Sequence, residues 1–149
     1  MLFRSYKSVA DLSGSATITV TVEDGGLDGD LATSSDNLVF SRSFVVTVTA
    51  VNDVPTLDAL SDLAINEDAP EQTVNLAGIT AGGGETQPLK VTATSSATGV
   101  IPNPAVTYTS ASTTGSIRFT PVADQSGAVT ITVTVEDGGL DGEIGRAHV

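Results

Sequence analysis

The chain has 149 residues and sets 6 Lys plus Arg against 18 Asp plus Glu, a formal net charge of −12, with one His and no Cys. That charge excludes nucleic acid and anionic membrane surfaces as partners, because both need basic groups, and it suits cation binding or solubility. Without Cys there is neither a disulfide framework nor a thiolate metal site, and no apolar run is long enough to span a bilayer.

In chain order, Thr17 to Val22 alternates strictly and predicts a half-buried strand with Ile18, Val20 and Val22 on one face. Glu23 to Asp30 is acidic and Gly-rich, a turn by its chemistry. Leu31 to Asn37 is polar and loop-like. Phe44 to Val51 predicts a second strand with Phe44, Val46, Val48 and Ala50 facing in. Asn52 to Thr56 carries Pro55 and reads as a linker. A short strand is expected over Leu63 to Asn66, then a break at Glu67 to Pro70. Thr73 to Ala77 and Leu89 to Thr94 alternate again, separated by a loop at Gly82-Gly83-Gly84. Val106 with Tyr108, Ser116 to Thr120 and Thr130 to Val135 complete the strands. Nothing has helical spacing. Short Thr- and Val-rich strands with turn signals every ~8–12 residues predict an all-β sandwich.

One stretch occurs twice. Residues 11–30 read DLSGSATITVTVEDGGLDGD and residues 124–143 read DQSGAVTITVTVEDGGLDGE, a constant offset of 113 positions. A fixed period marks a tandem array, and two full units would need 226 residues (2 × 113), more than the chain holds. The ends read as foreign to that array. Glu143 to Val149, EIGRAHV, resembles a translated sequencing adapter, and Met1 to Ser5, MLFRS, resembles its reverse complement. The expected organisation is therefore a non-native leader at 1–5, the end of one repeat at 6–51, a linker at 52–56, a second repeat at 57–142 and a non-native tail at 143–149. His148 then belongs to the tail.

The remaining sequence has neither Cys nor His, which excludes Ser-His-Asp and Cys-His catalysis and ordinary zinc binding. Paired carboxylates remain, but they lie in Gly-rich turns where water keeps both ionised, so the chain is not expected to be an enzyme. Calcium takes 6–8 oxygen ligands, and the acids cluster: Glu23, Asp24, Asp28 and Asp30; Asp53 and Asp58; Glu67, Asp68 and Glu71; Glu136, Asp137 and Asp141. An EF-hand loop starting at Asp24 fails, with Gly26 third and Ser35 twelfth. The alternative is turn chemistry alone, since Asp bonds nearby backbone and Gly takes φ > 0.

At AVNDVP (Ala50 to Pro55), INEDAP (Ile65 to Pro70) and VTVEDGG the chain resembles the tandem cadherin-like, Ig-like modules of very large bacterial surface proteins. The resemblance implies Greek-key sandwich repeats, with strands F and G of one unit at 6–51 and strands A to F of the next at 57–142. The edge of its strand F is then expected to be open, and the preceding strand G is not expected to fill it. Calcium at junctions between units is implied too. Asp11, Asn52, Asp53 and Asp137 would converge on one junction, Asp24 would serve the one before, and Glu67 and Asp124 the one after. Three positions depart from the family pattern: Ala93 to Ala97 holds no acid, Ser126 stands for a glutamate and Val54 for an asparagine. Fewer ligand charges imply affinity near the ~10⁻⁴–10⁻³ M of extracellular modules.

The expected role is a structural or adhesive repeat of an exported, cell-surface or secreted protein, partnered by neighbouring repeats. A carbohydrate- or protein-binding adhesion module, or an accessory domain of a large secreted hydrolase, are the alternatives. Tyr108 reads as the edge of the core before it reads as a sugar platform.

Overall fold

A computed structural model describes residues 7–32 and 35–139. The expectations for Met1 to Ser5, Asp141 and Glu143 to Val149, with His148, lie outside the described residues. The described chain is all-β: β1 (Gly14–Glu23), β2 (Val39–Val48), β3 (Gln72–Leu76), β4 (Leu89–Ser95), β5 (Ala105–Thr107), β6 (Gly115–Phe119) and β7 (Ile131–Asp137). It divides into two compact units, Met1–Ala50 and Val51–Val149.

In the first unit β1 and β2 form an antiparallel hairpin of ten paired positions, from Gly14 opposite Val48 to Glu23 opposite Val39. Thr and Ser face one another across it: Thr19 with Ser43 and Thr21 with Ser41 each share a 2.9 Å hydroxyl bond. The apolar positions do form one face, but it is uncovered. Val20, Val22 and Phe44 are 54%, 63% and 48% exposed. The expected half-burial fails because the described part of this unit supplies no second layer. The second strand also begins and ends earlier than the expected Phe44 to Val51, and Ala50 lies beyond it. Its limits are set by the ladder with β1 and not by its own apolar run.

The second unit is a β-sandwich of two antiparallel sheets. One has the order β3-β6-β5 and the other pairs β4 with β7. Strand alternation sends one side of each strand inward. Leu76, Ile79, Ala81, Leu89, Val91 and Ile117 form the buried core, and Val74, Ala93, Val106, Ile131, Val133 and Val135 pack against it. The outward positions of β7, Thr132 and Thr134, are exposed. The expected strand at Leu63 to Asn66 is absent: that stretch has no ladder among the described residues, and Leu63 is 54% exposed. Two apolar residues in alternation are not enough without a partner edge. The chain instead joins the sandwich earlier, at a bridge between Thr56 and Thr80, with the Asp58 N–H donating to the Ala77 carbonyl at 3.0 Å.

The two copies of the repeated stretch keep one backbone shape. Asp11 and Asp124 have φ of 58° and 57°, Gly14 and Gly127 145° and 148°, and Gly26 and Gly139 both 58°. A hairpin surrounds the first copy and a sandwich the second, so this shape is local.

Candidate functional site

The linker folds back onto the sandwich of the second unit. The Asn52 amide donates to both carboxylate oxygens of Asp137, at 3.4 and 3.3 Å. Gln87 donates to Asn52 Oδ1 and to Glu85 Oε2, both at 2.9 Å. Glu85 Oε2 also accepts the Asp53 backbone N–H at 3.1 Å. The result is a chain of groups, Asp137–Asn52–Gln87–Glu85–Asp53, in which amide N–H donors separate the carboxylates. Of the residues expected from sequence, Asn52, Asp53 and Asp137 are brought together here.

Glycine makes this approach possible. Gly82 and Gly83 take φ of 90° and 47°, and a Cβ on Gly83 would run into the Asp53 carboxylate. A Cβ on Gly82 would strike the Val54 carbonyl. This is the use of glycine where backbone must come close in a left-handed conformation. Asp137 is held from its other side by the Gly139 N–H, 2.8 Å from Oδ1, an Asx turn that keeps the carboxylate at the end of β7.

Glu85 and Gln87 were not among the expected site residues. Their signal was the glycine run just before them, which reads as a loop but also demands that another segment pass close by. Among the described residues no group of three or more acidic or histidine side chains converges as a metal-binding set. The donor chemistry is nevertheless oxygen-rich, and Gln87 Oε1 is buried with no hydrogen-bond partner.

At the other end of the same sandwich, Asp124 meets the turn holding Glu67. The Asp124 N–H donates to Asp68 Oδ1 at 3.0 Å. Glu67 itself is exposed in that turn, which the Ala69 N–H closes onto the Asn66 carbonyl at 3.3 Å. Asp68, with φ of 61°, is thus the acid that ties this end together.

Asp11 and Asp24 belong to the first unit. Asp11 is exposed. Asp24 Oδ1 accepts the N–H groups of Leu38 and Gly26, each at 3.0 Å. The next acids repeat the pattern: Asp28 accepts from Asp30 N–H at 2.8 Å, Asp30 from Ala32 N–H at 2.9 Å, and Asp36 from Leu27 N–H at 2.7 Å. The acidic loop is therefore organised by its own backbone donors. The Leu38 and then the Gly26 N–H bonds hold the Asp24 carboxyl below its ordinary value.

A depressed carboxyl favours the folded loop while it is charged. Its contribution is complete above the ordinary carboxylate pKa and disappears as pH falls through the lower folded value. Protection of the Leu38 amide, its exchange measured against the intrinsic rate at the same pH, is accordingly expected to fall on acidification before the β1–β2 ladder is lost. Asp24→Ala is expected to give the same loss of protection at neutral pH. An unchanged Leu38 amide in that variant would show that Asp24 does not hold the turn.

Tyr108 is part of the core wall, packed against the buried cluster. Its hydroxyl donates to the Ser112 carbonyl at 3.0 Å, and burial pushes its pKa up. It borders a hollow of about 420 Å³ lined by Leu89, Lys90, Val91, Val106 and Ser110.

Comparison with protein-family models, curated proteins and solved structures finds no match.

Proposed function

We propose that the chain is a structural, adhesive tandem-repeat module of an exported or cell-surface protein, in which calcium stiffens the junction between successive repeats. The bond from Asn52 to Asp137 carries this reading. It joins a linker residue to a strand end 85 positions away. A linker of free spacer type has no reason to be held in that way. The 113-residue repeat and the sandwich of the second unit support the array. Its sheet orders, β3-β6-β5 and β4-β7, correspond to B-E-D and C-F of an Ig-like sandwich.

The residues suit a hard cation, which prefers carboxylate, amide and carbonyl oxygens. Asp53, Glu85 and Asp137 would supply carboxylates. Turning the Asn52 and Gln87 amides over would present oxygen where N–H now faces a carboxylate. Asp11, in the other unit, is the further member of the expected set. Calcium would supply charge neutralisation; the chain's own part is to hold the linker against the end of β7.

A chain spanning two complete repeats tests this. Its melting temperature and its maximum dimension by X-ray scattering are expected to rise with calcium at about 10⁻⁴–10⁻³ M and to fall again with chelator. Asp137→Ala should abolish both responses. Identical melting and dimension with calcium and with chelator would sink the calcium reading.

A further inference from the structure

Strand β4 ends its sheet, with β7 as its one partner among the described residues. The Gly138 N–H bonds the Pro88 carbonyl at 3.0 Å and the Ser96 N–H bonds the Thr130 carbonyl at 2.9 Å. Antiparallel pairing alternates, so the even-numbered residues of β4 face β7. Leu89, Val91, Ala93 and Ser95 point their N–H and C=O groups at the outer edge. A copy of β2 carried forward by 113 positions falls beside β7, so β4 keeps this edge in a complete repeat as well. A row of unpaired groups of this kind templates another strand.

Both ends of the row are occupied. The Leu89 N–H donates to Ser110 Oγ and the Ser95 N–H to Asn103 Oδ1, each at 2.9 Å. Neither Ser110 nor Asn103 lies in a strand, so each takes a donor without offering a ladder of its own. Both are firmly placed. Ser110 follows Tyr108, whose ring packs on the core and whose hydroxyl bonds the Ser112 carbonyl. The Ser112 N–H in turn closes on the Thr109 carbonyl at 2.9 Å. Asn103 stands between Pro102 and Pro104, whose rings fix φ, and Pro104 is buried. Val91 and Ala93 are what is left between the caps. Pairing that short does not offset the freedom that two chains lose on association.

We propose that Ser110 and Asn103 guard the outer edge of β4 against strand addition by a second copy of this chain. Without the caps, two β4 strands can lie antiparallel about a two-fold axis at Thr92. That register alone brings every outward residue into a pair, Leu89 with Ser95 and Val91 with Ala93.

The chain has no Cys, so Thr92→Cys by itself reports this axis. The two copies of residue 92 would form a non-hydrogen-bonded pair with Cα atoms ~4.5 Å apart, within disulfide reach. Adding Ser110→Ala and Asn103→Ala to the full-length reporter is expected to speed disulfide dimer formation about tenfold. The same two substitutions without the reporter should shift the chain toward dimer in sedimentation. Ser110→Thr with Asn103→Asp keeps both acceptors and should restore the slow rate. Thr134→Cys reports association through β7, and removing the caps should leave its rate alone. The Leu76 and Ile117 amides should keep their protection in every variant. Each of the following would overturn the proposal: crosslinking through Thr92→Cys that the caps do not affect, an equal rise through Thr134→Cys, or a capless chain that stays monomeric across concentration. Loss of protection at Leu76 and Ile117 would overturn it too, because Ser110 and Asn103 would then be holding the sandwich together and not guarding its edge.

Discussion

Leu76→Ala is expected to lower the melting temperature of the sandwich by ~10 °C or more, the shift that a loss of about 2–5 kcal/mol produces in a domain of this size. Leu76 ends β3, is 1% exposed, and sits in the cluster with Ile79, Leu89, Val91 and Ile117. The cluster contains only six buried residues, so truncating one removes a large fraction of it. The neighbours cannot easily collapse into the gap: β3 is fixed by five paired positions to β6. The β1–β2 amides belong to the other unit and should keep their exchange rates, which separates loss of this core from general unfolding. Calorimetry with site-resolved exchange reads both. A shift under ~5 °C would mean that the site relaxes around the smaller side chain.

Gly82→Ala is the second substitution with a large expected effect. Its φ of 90° is one that residues with a Cβ rarely adopt, and strain of that kind costs about 1–3 kcal/mol. The Cβ would also meet the Val54 backbone carbonyl, which cannot swing aside as a side-chain end can. The linker should therefore lift off the sandwich. Exchange at the Asp53 amide, now bonded to Glu85, should become fast, while Leu76 and Ile117 remain protected. Gly84→Ala has open space at its Cβ and carries only the conformational cost, so the difference between the two variants isolates the steric term. Equal behaviour of the two would show that the linker does not press on this loop.

Much of the sandwich was legible because its strands alternate cleanly between a buried and an exposed side. Five of the expected strands correspond to β3, β4, β5, β6 and β7 to within a residue or two. The failures have a common cause. Strand limits depend on a partner, and a partner is not written in the local pattern. Ser41, Arg42 and Ser43 fall outside the expected strand, yet they lie in β2 because Thr21, Val20 and Thr19 stand opposite. Leu63 and Ile65 look like strand but have no ladder. The same applies to the site. Asp137 stood out in the repeated stretch, and Asn52 and Asp53 in the motif that carries the family resemblance, whereas Glu85 and Gln87 reach the linker through contacts across more than thirty positions.

The matching backbone angles of the two copies of the repeated stretch have a consequence for how such an array can change. Asp11 and Asp124, Gly14 and Gly127, and Gly26 and Gly139 agree within a few degrees, although one copy lies in a hairpin and the other in a sandwich. Residues 17–29 and 130–142 are also identical. A chain could be cut in one copy and rejoined in the other without any residue at the seam meeting an unfamiliar local conformation. Length would then change in whole steps of 113 residues, with strand register and turn geometry carried intact through each join.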